Sequence, residues 1–340
     1  MRFMKWGLLL TSVIVITGIS CSKSNGTHTS QNNSSSDTSA NILTYQLDGV
    51  NPLVSFAAPS IYVQFADSII NPGNHVASFT LSPGATASIQ GVPQTSGSSA
   101  NNFENAIIYT VTSGGGTTRE WEVIGTNNNY TVGWGLGQWL QKAVSNNRDY
   151  NWYIDQGTTD SCGAINCGPT SVTMAIKWAD STSTVTPTLA RLAFRPGCGT
   201  WSTNYVADYL NQNAIPFKWI PLPDSATQMR DRFTDQLDSG RIMIIELMMS
   251  AVRESMSGSE SRVDKPYGQS FDHFIILKGY RLVGGELFFE VYDPWDLGQT
   301  YKDGTPVGEN RYYRYEDIFN ACSDFPAGGT GIAEIVVSQK

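Results

Sequence analysis

Charged residues are scarce in this sequence, and the scarcity excludes several classes of function. They make up 15% of the 340 residues, and 22 Lys and Arg against 30 Asp and Glu give a net charge of −8. This balance argues against sequence-independent nucleic-acid binding and against a polybasic membrane-binding face, because both need clustered basic side chains. No apolar run reaches 18 residues without interruption, so no transmembrane helix is predicted.

Residues and motifs for metal, nucleotide and serine chemistry are also missing. The chain has three His and five Cys, with no HExxH and no CxxC motif, which argues against a zinc site of a common type. It has no Gly-rich phosphate loop before a helix and no GxSxG elbow. We therefore predict no metal or cofactor.

Residues 1–20 have the features of an export signal. Arg2 and Lys5 precede an apolar stretch of about 11 residues, the length of a signal-peptide core. The following Gly18-Ile-Ser-Cys21 resembles a bacterial lipobox, with Gly18 standing where the pattern prefers Leu. The resemblance implies lipidation of Cys21 and an outer-membrane or cell-surface lipoprotein, with a periplasm-facing orientation also open. A simple secretion signal is the alternative.

A tether is predicted over residues 21–40. Ser, Thr and Asn dominate this segment, which has no large apolar residue after Cys21. Such a composition cannot bury enough surface to offset the entropy of ordering the chain.

Residues 41–127 are predicted to form an immunoglobulin-like β-sandwich. Turn signals such as Asn71-Pro-Gly73 separate short β-rich runs, a spacing typical of that fold. The segments Phe79–Ser88 and Ala106–Thr112 resemble the Ig-like domains that follow the lipid anchor in many Bacteroidetes surface lipoproteins. The candidate strands are Ile42–Leu47, Ile61–Phe65, His75–Leu81, Ala87–Ile89, Ile107–Thr112 and Arg119–Ile124.

Residues 128–152 are predicted to be a connector with a short helix at Leu140–Val144. Its three tryptophans, Trp134, Trp139 and Trp152, favour packing against a second domain. An exposed aromatic platform for carbohydrate is the alternative.

Cys167 is the first candidate catalytic residue. A helical pattern of apolar residues follows it, and Pro169 fits the first turn of a helix. A thiol at that position lies at the positive end of the helix, which favours the nucleophilic thiolate, and the free N–H groups there can stabilise an oxyanion. An ordinary buried or disulfide-bonded Cys is the alternative in an exported protein.

His273 and Asp293 are the predicted partners of Cys167. His273 is the only His after residue 127, and it starts an apolar β-rich run. A Gly284-Gly285 hairpin leads to a second strand that ends at Asp293. Two antiparallel strands joined in this way bring the start of one close to the end of the other, as a base and its orienting carboxylate require.

These segments together resemble a known peptidase family. Cys167-Gly-Pro-Thr-Ser171, Asp272-His-Phe-Ile-Ile276 and Tyr292-Asp-Pro-Trp295 resemble papain-like peptidases of the bacteriocin-processing (double-glycine) type. The resemblance covers about residues 150–335 and implies an α+β fold for a peptidase-like domain over residues 153–340. It also implies Cys167 as nucleophile, His273 as general base, Asp293 as its orienter and a Gln before the Cys as oxyanion donor.

Gln156 is the candidate for that Gln, although it lies eleven residues before Cys167, where six is usual in the transporter-linked members. Cys162 lies six residues after Gln156 and is the alternative nucleophile. Cys167 is preferred because Pro169 and the helical pattern follow it. Cys162, Cys198 and Cys322 leave three possible disulfide pairs, of which Cys162–Cys198 is favoured; three reduced or simply buried cysteines are the alternative.

The sequence thus predicts a secreted, lipid-anchored cysteine peptidase or amidohydrolase acting on a peptide or protein. A non-catalytic binding lipoprotein on a peptidase-like scaffold is one alternative. An acyl transferase or peptidoglycan amidase with the same triad is another. The polar residues 250–270 before His273 are predicted to be either a lid over the cleft or a surface loop.

Overall fold

The computed structural model describes residues 38–338, apart from 48–52, 58, 67, 69–71, 222–224, 256–259, 297 and 324–332. The predicted signal peptide, the Cys21 lipidation site and nearly all of the predicted tether lie outside the described residues. Among the described helices, none combines the length and the apolar character needed to cross a bilayer.

The described residues of the N-terminal half, up to Asn127, form nine strands. One sheet has the order β1-β4-β7 and the other β2-β3-β9-β8-β5-β6; all pairs are antiparallel except β3 with β9. Side chains of both sheets share one apolar core, to which β8 contributes Ile107, Tyr109 and Val111. The strands are β1 (Ile42–Leu47), β2 (Leu53–Ala57), β3 (Ser60–Gln64), β4 (Asn74–Leu81), β5 (Thr86–Ile89), β6 (Val92–Pro93), β7 (Ala100–Asn102), β8 (Ile107–Thr112) and β9 (Thr118–Thr126).

All six strands predicted from the sequence in this half are present, with ends that differ by at most two residues. Strands β2, β6 and β7 were missed; β6 and β7 have only two and three residues, too few to show an alternating pattern. An immunoglobulin-like topology remains a prediction for this half.

The predicted helix at Leu140–Val144 is wrong. After a short helix, α1 (Asn129–Gly133), residues Leu140–Ser145 form strand β10, which pairs with β13 (Asp272–Val283). Gly279 permits this pairing, since a side chain there would collide with the main-chain oxygen of Val144. Tertiary pairing has therefore overridden a local helical preference.

The tryptophans of the connector pack inwards. Trp139 lies in the N-terminal core and Trp152 is fully buried against Tyr292, with ring centroids 4.2 Å apart. Trp134 is half-buried and stacks on Tyr312 at 5.9 Å. The connector therefore packs against the second half of the chain through Trp134 and Trp152, whereas Trp139 packs into the N-terminal core instead. The alternative of an exposed aromatic platform is wrong for Trp139 and Trp152.

The C-terminal half combines helices with an antiparallel sheet of order β11-β16-β12-β13-β14-β15. The early part of β13 pairs with β12 and its later part with β10. The remaining elements are α2 (Cys167–Ala179), α3 (Pro187–Phe194), α4 (Thr203–Gln212), β11 (Phe217–Pro221), α5 (Ala226–Asp238), β12 (Ile242–Met248), β14 (Glu286–Tyr292), β15 (Arg311–Arg314), α6 (Tyr315–Ser323) and β16 (Ala333–Val337).

Helices cover both faces of this sheet. Helix α2 packs on one face, against a core that includes Phe274 and Ile276. Helices α5 and α6 pack on the other face, where Ile275 and Leu277 point. The C-terminal half is α+β, as predicted. Helix α2 is buried along nearly its whole length because it lies between the sheet and helices α3 and α4.

Candidate active site

Cys167 is the first residue of α2, and its thiol is free and half-buried. The first turn of the helix is held tightly. The amide of Thr170 donates to the main-chain oxygen of Asn166 at 2.8 Å. The hydroxyl of Ser171 donates to the main-chain oxygen of Phe274 at 3.0 Å, which ties α2 to β13. The helix start therefore holds the thiol beside the strand that carries His273.

The loop just before Cys167 is braced by the side chain of Asn166, which is fully buried. Its amide donates to the side chains of Thr159, at 2.7 Å, and Asp160, at 2.9 Å. Its oxygen accepts from Nε of Arg191 at 2.9 Å. Each polar atom of this side chain is thus engaged, so the backbone leading into the nucleophile has a fixed course.

Arg191, on α3, is a buried cation beneath this loop. It also donates to the main-chain oxygens of Ile165 and Gly199. Burial lowers the pKa of Arg191, while attraction to Asp160 and Cys167 opposes that change. The guanidinium therefore lies within electrostatic range of Cys167. Sequence reasoning missed Arg191 because α3 was not predicted.

Cys162 is disulfide-bonded to Cys198. This is the pairing that the sequence favoured. A disulfide sulfur carries no thiolate, so Cys162 is not available as the alternative nucleophile in this structure. Cys322, the other described cysteine outside the disulfide, is buried in the core on the opposite face of the sheet.

His273 and Asp293 are in direct contact. Nε2 of His273 lies 2.7 Å from Oδ1 of Asp293, and both side chains are completely buried. The β13–β14 register pairs Ile276 with Tyr292, which brings the start of one strand to the end of the other, as the hairpin predicted. The other hydrogen bonds to the Asp293 carboxylate come from O–H and N–H donors, so the carboxylate acts as an acceptor. We therefore place a proton on Nε2 of His273, which donates it to Asp293, and Nδ1 faces the thiol.

The charges of His273 and Asp293 are coupled. Burial lowers the pKa of His273, but the carboxylate of Asp293 and the thiol of Cys167 together raise it by more, to about 10. Burial raises the pKa of Asp293, but the imidazole of His273 and the donors from Tyr313 and Trp295 lower it by more. The site therefore favours an imidazolium held by a carboxylate. His273 Nδ1 makes no well-formed hydrogen bond, yet it is close enough to Cys167 for the thiol to contribute to this shift.

Two tyrosines that sequence reasoning missed complete the surroundings of Asp293. Tyr267 donates to Oδ2 at 2.8 Å and Tyr313 donates to the same oxygen at 2.5 Å. No sequence signal marks them, since a Tyr in or near a strand is ordinarily a core residue. Tyr267 belongs to the predicted loop 250–270, whose described residues Arg262, Val263 and Lys265 are also buried. The description of that segment as a surface loop is wrong for these residues.

Gln156 lies close to the thiol despite its long spacing in sequence. Its side-chain amide donates to the main-chain oxygen of Gly163 at 2.9 Å, and its main-chain N–H donates to the oxygen of Pro294 at 2.8 Å. The side chain is buried, and its Oε1 has no hydrogen-bond partner among the described residues. One N–H of the amide remains available for an oxyanion.

Gln156, Cys167 and His273 line the same small cavity of about 90 Å³, together with Trp201 and Phe271. Trp201 packs tightly against the start of α2, where a Cβ on Gly168 would lie 2.8 Å from it. The structure thus brings all four predicted site residues together, three around the cavity and Asp293 behind His273. The arrangement can deliver a thiolate, transfer a proton and stabilise an oxyanion at one point.

Residues 149–320 match the family described as the Peptidase_C39 like family. A solved structure of a candidate C39-like peptidase from Bacillus anthracis has a TM-score of 0.37 and 13% identity, with 59% of this chain and 99% of that chain covered. A candidate glycoside hydrolase from Bacteroides thetaiotaomicron has a TM-score of 0.24 and 13% identity, with 89% of this chain and 96% of that chain covered.

None of the curated proteins matches the sequence. The family match covers half of the chain, and Gln156, Cys167, His273 and Asp293 all fall within it. The chain therefore belongs to the Peptidase_C39 like family.

Proposed function

We propose that the protein is an exported, lipid-anchored cysteine peptidase or amidohydrolase that cleaves peptide or isopeptide amide bonds through a thioester. One observation carries this proposal. A free thiol at a helix start shares a cavity with a buried His and a buried Gln, and the His is bonded to a buried carboxylate. Family membership supports the same class of chemistry.

The first half of the reaction forms the thioester. The proton of Cys167 passes to Nδ1 of His273, and the sulfur attacks the carbonyl carbon of the substrate. The resulting oxyanion accepts hydrogen bonds from the side-chain amide of Gln156 and the main-chain N–H of Cys167. His273 then donates its proton to the leaving amine, and the C–N bond breaks.

Water completes the cycle. His273 takes a proton from the water as the oxygen attacks the thioester, and the same proton returns to the sulfur as the acid product leaves. Asp293 stays ionised throughout and orients the imidazole. No other group is needed to balance the protons or electrons.

The anchored location is carried by the sequence alone. The apolar core of residues 1–20 and the Cys21 motif support export and lipidation, and the Ser/Thr/Asn-rich segment supports a tether. The N-terminal β-sheet half would then act as a spacer or binding module between the membrane and the peptidase half.

Thiol labelling tests the proposed chemistry without a known substrate. The purified full-length protein, in detergent, would be treated with limiting iodoacetamide between pH 5 and 9, and the labelled cysteines mapped by mass spectrometry. We expect Cys167 to react fastest, well below pH 8, and the change His273→Ala to remove that advantage. The buried thiol of Cys322 is the internal control.

A Cys167 that reacts no faster than Cys322, or whose reactivity does not depend on His273, would contradict the enzymatic proposal. A non-catalytic binding protein on a peptidase scaffold would then fit better. If the thiol is activated, product analysis with peptide substrates, in water and with added amines, separates hydrolysis from acyl transfer. Cys167→Ser is the inactive control in those assays.

A further inference from the structure

The carboxylate of Asp293 is saturated with hydrogen-bond donors. Oδ1 accepts from Nε2 of His273 at 2.7 Å and from the main-chain N–H of Trp295 at 2.9 Å. Oδ2 accepts from the hydroxyls of Tyr267 and Tyr313. A carboxylate offers about four lone-pair sites, so all of them are engaged.

The two hydroxyls reach Asp293 from different parts of the fold. Tyr313 lies in β15, where it pairs with Phe289, and is fully buried in the sheet. Tyr267 lies in the segment before β13, where its ring stacks on Phe271 at 5.7 Å. Phe271 in turn contacts the His273 ring edge-on at 5.3 Å and lines the cavity. The segment that forms one wall of the cavity is thus fastened to the carboxylate through Tyr267.

The proposed reaction uses His273 and Asp293 but assigns no part to these phenols. A fully buried carboxylate is costly to keep ionised unless donors replace the lost water. The imidazole alone supplies one donor, and the tyrosines supply half of the four. We propose that Tyr267 and Tyr313 are positioning residues that keep the Asp293 carboxylate ionised and oriented toward His273, and so set the acid limit of Cys167 reactivity. This inference rests on the proposed function.

The other charged and titratable groups around Asp293 come from several elements. The hydroxyl of Tyr153 donates to the main-chain oxygen of Asp293 at 2.8 Å and to the carboxylate of Asp296 at 3.0 Å. Burial and the nearby charge of Asp155 raise the pKa of Asp296 to about 6. The charge of Arg311 interacts with the hydroxyl of Tyr313. Cys167 interacts with His273 and so lies behind the imidazole as seen from Asp293. None of these hydroxyls or charges donates to the Asp293 carboxylate, so removal of the two phenols is the direct test.

The variants are Tyr267→Phe, Tyr313→Phe and the double change, each of which removes a hydroxyl and keeps the ring. Tyr312→Phe is the matched control, because Tyr312 is the neighbouring buried tyrosine of β15 and its hydroxyl lies near Arg281, away from Asp293. The measurement is the rate of iodoacetamide labelling of Cys167 in the full-length protein from pH 4 to 9, mapped by mass spectrometry. Thermal unfolding of each variant reports folding.

A hydrogen bond to a charged group has a net strength of about 1.5–3 kcal/mol, which corresponds to about one to two pH units. We expect each single change to move the acid limb of Cys167 labelling upward by about one pH unit, and the double change to move it further. At pH 8 the labelling rates should stay within about twofold of the unaltered protein, since Asp293 is ionised there in every variant. Tyr312→Phe should leave the profile in place.

A second set of variants tests whether the tyrosine hydroxyls act on Cys167 labelling through the carboxylate of Asp293. In an Asp293→Asn background, Tyr313→Phe should cause no further shift, because the proposed action passes through the carboxylate. A uniform loss of labelling at all pH values, or acid limbs that coincide with that of the unaltered protein, would overturn the positioning role. If the unaltered protein shows no His273-dependent labelling, the proposed function itself fails, and that result is distinct from unchanged profiles in the Phe variants.

Discussion

The side-chain amide of Gln156 donates to the main-chain oxygen of Gly163 at 2.9 Å, although the two residues belong to separate turns. Gly163 has no side chain, and a Cβ there would lie 2.9 Å from the main-chain oxygen of Gln156. The missing side chain lets the segment before Cys167 fold back on itself. This contact accommodates the long spacing between the candidate oxyanion donor and the nucleophile.

Gly163→Ala should therefore displace Gln156. The new methyl group would meet main-chain atoms of Gln156 and Gly157, which cannot move aside cheaply, so we expect a loss of about 1–3 kcal/mol of folding free energy. We also expect peptide hydrolysis to fall about 100- to 1000-fold through loss of the oxyanion donor, while Cys167 labelling is retained. Gly133→Ala is the control, since a Cβ there meets nothing within 4 Å. Equal effects of the two changes would contradict the prediction.

The disulfide Cys162–Cys198 should stabilise the walls of the cavity. It closes a loop with a sequence separation of 36, and removal of a disulfide of that kind costs about 2–4 kcal/mol. We expect the double change Cys162→Ser, Cys198→Ser to lower the melting temperature, and a reductant to lower that of the unaltered protein to the same value. Reductant should have no further effect on the double variant. A melting temperature that does not respond to the double change would exclude a stabilising role.

The contact between His273 and Asp293 should make stability depend on pH in two directions. The folded pKa of His273 is raised to about 10, so its contribution to stability is complete below about pH 6.5 and is lost as the pH rises toward 10. The folded pKa of Asp293 is lowered, so its contribution is present above about pH 4 and is lost as the pH falls through the folded value. Urea unfolding of the unaltered protein should show a larger loss between pH 6 and 9.5 than His273→Gln does. Equal losses in the two proteins would refute this coupling.

Glu246, on β12, is a destabilising charge near the cavity. Burial, with the carboxylate of Asp272, raises the pKa of Glu246 to about 7. A carboxyl with a raised folded pKa favours the folded state at low pH, and this advantage is lost as the pH rises from about 4.5 through 7. Glu246→Gln should therefore increase the unfolding free energy at pH 8, by up to about 3 kcal/mol, and change it little at pH 4. Glu120→Gln, at an exposed carboxyl, is the control and should have little effect at either pH.

Cys167, His273 and Asp293 could be predicted because the sequence patterns that mark them are local. Helix α2 begins at Cys167, where Pro169 in the first turn and a helical pattern of apolar residues coincide, although the preceding Asn166 makes no side-chain capping hydrogen bond. The approach of His273 to Asp293 follows from the register of a tight hairpin, in which turn position and strand length fix which ends meet. The resemblance to papain-like peptidases added the candidate Gln156, whose position no local pattern marks.

The rest of the site depends on contacts between distant segments. Arg191 reaches the nucleophile loop from a helix that the sequence did not reveal, and Tyr267 and Tyr313 reach Asp293 from two different elements. In sequence each of these residues has the features of an ordinary core or surface residue. Their roles arise only from burial beside a charge, which no periodic pattern encodes.

Strand β13 links the connector to the reaction centre. Its first residues carry His273 and pair with β12, while its later residues pair with β10 of the connector. A fragment cut at residue 153 would lack β10 and would leave the Gly279 end of β13 as an unprotected edge, the kind of surface on which chains aggregate. For expression of the C-terminal half alone, the practical starting point is therefore upstream of Leu140, so that the fragment includes the strand that closes its own sheet.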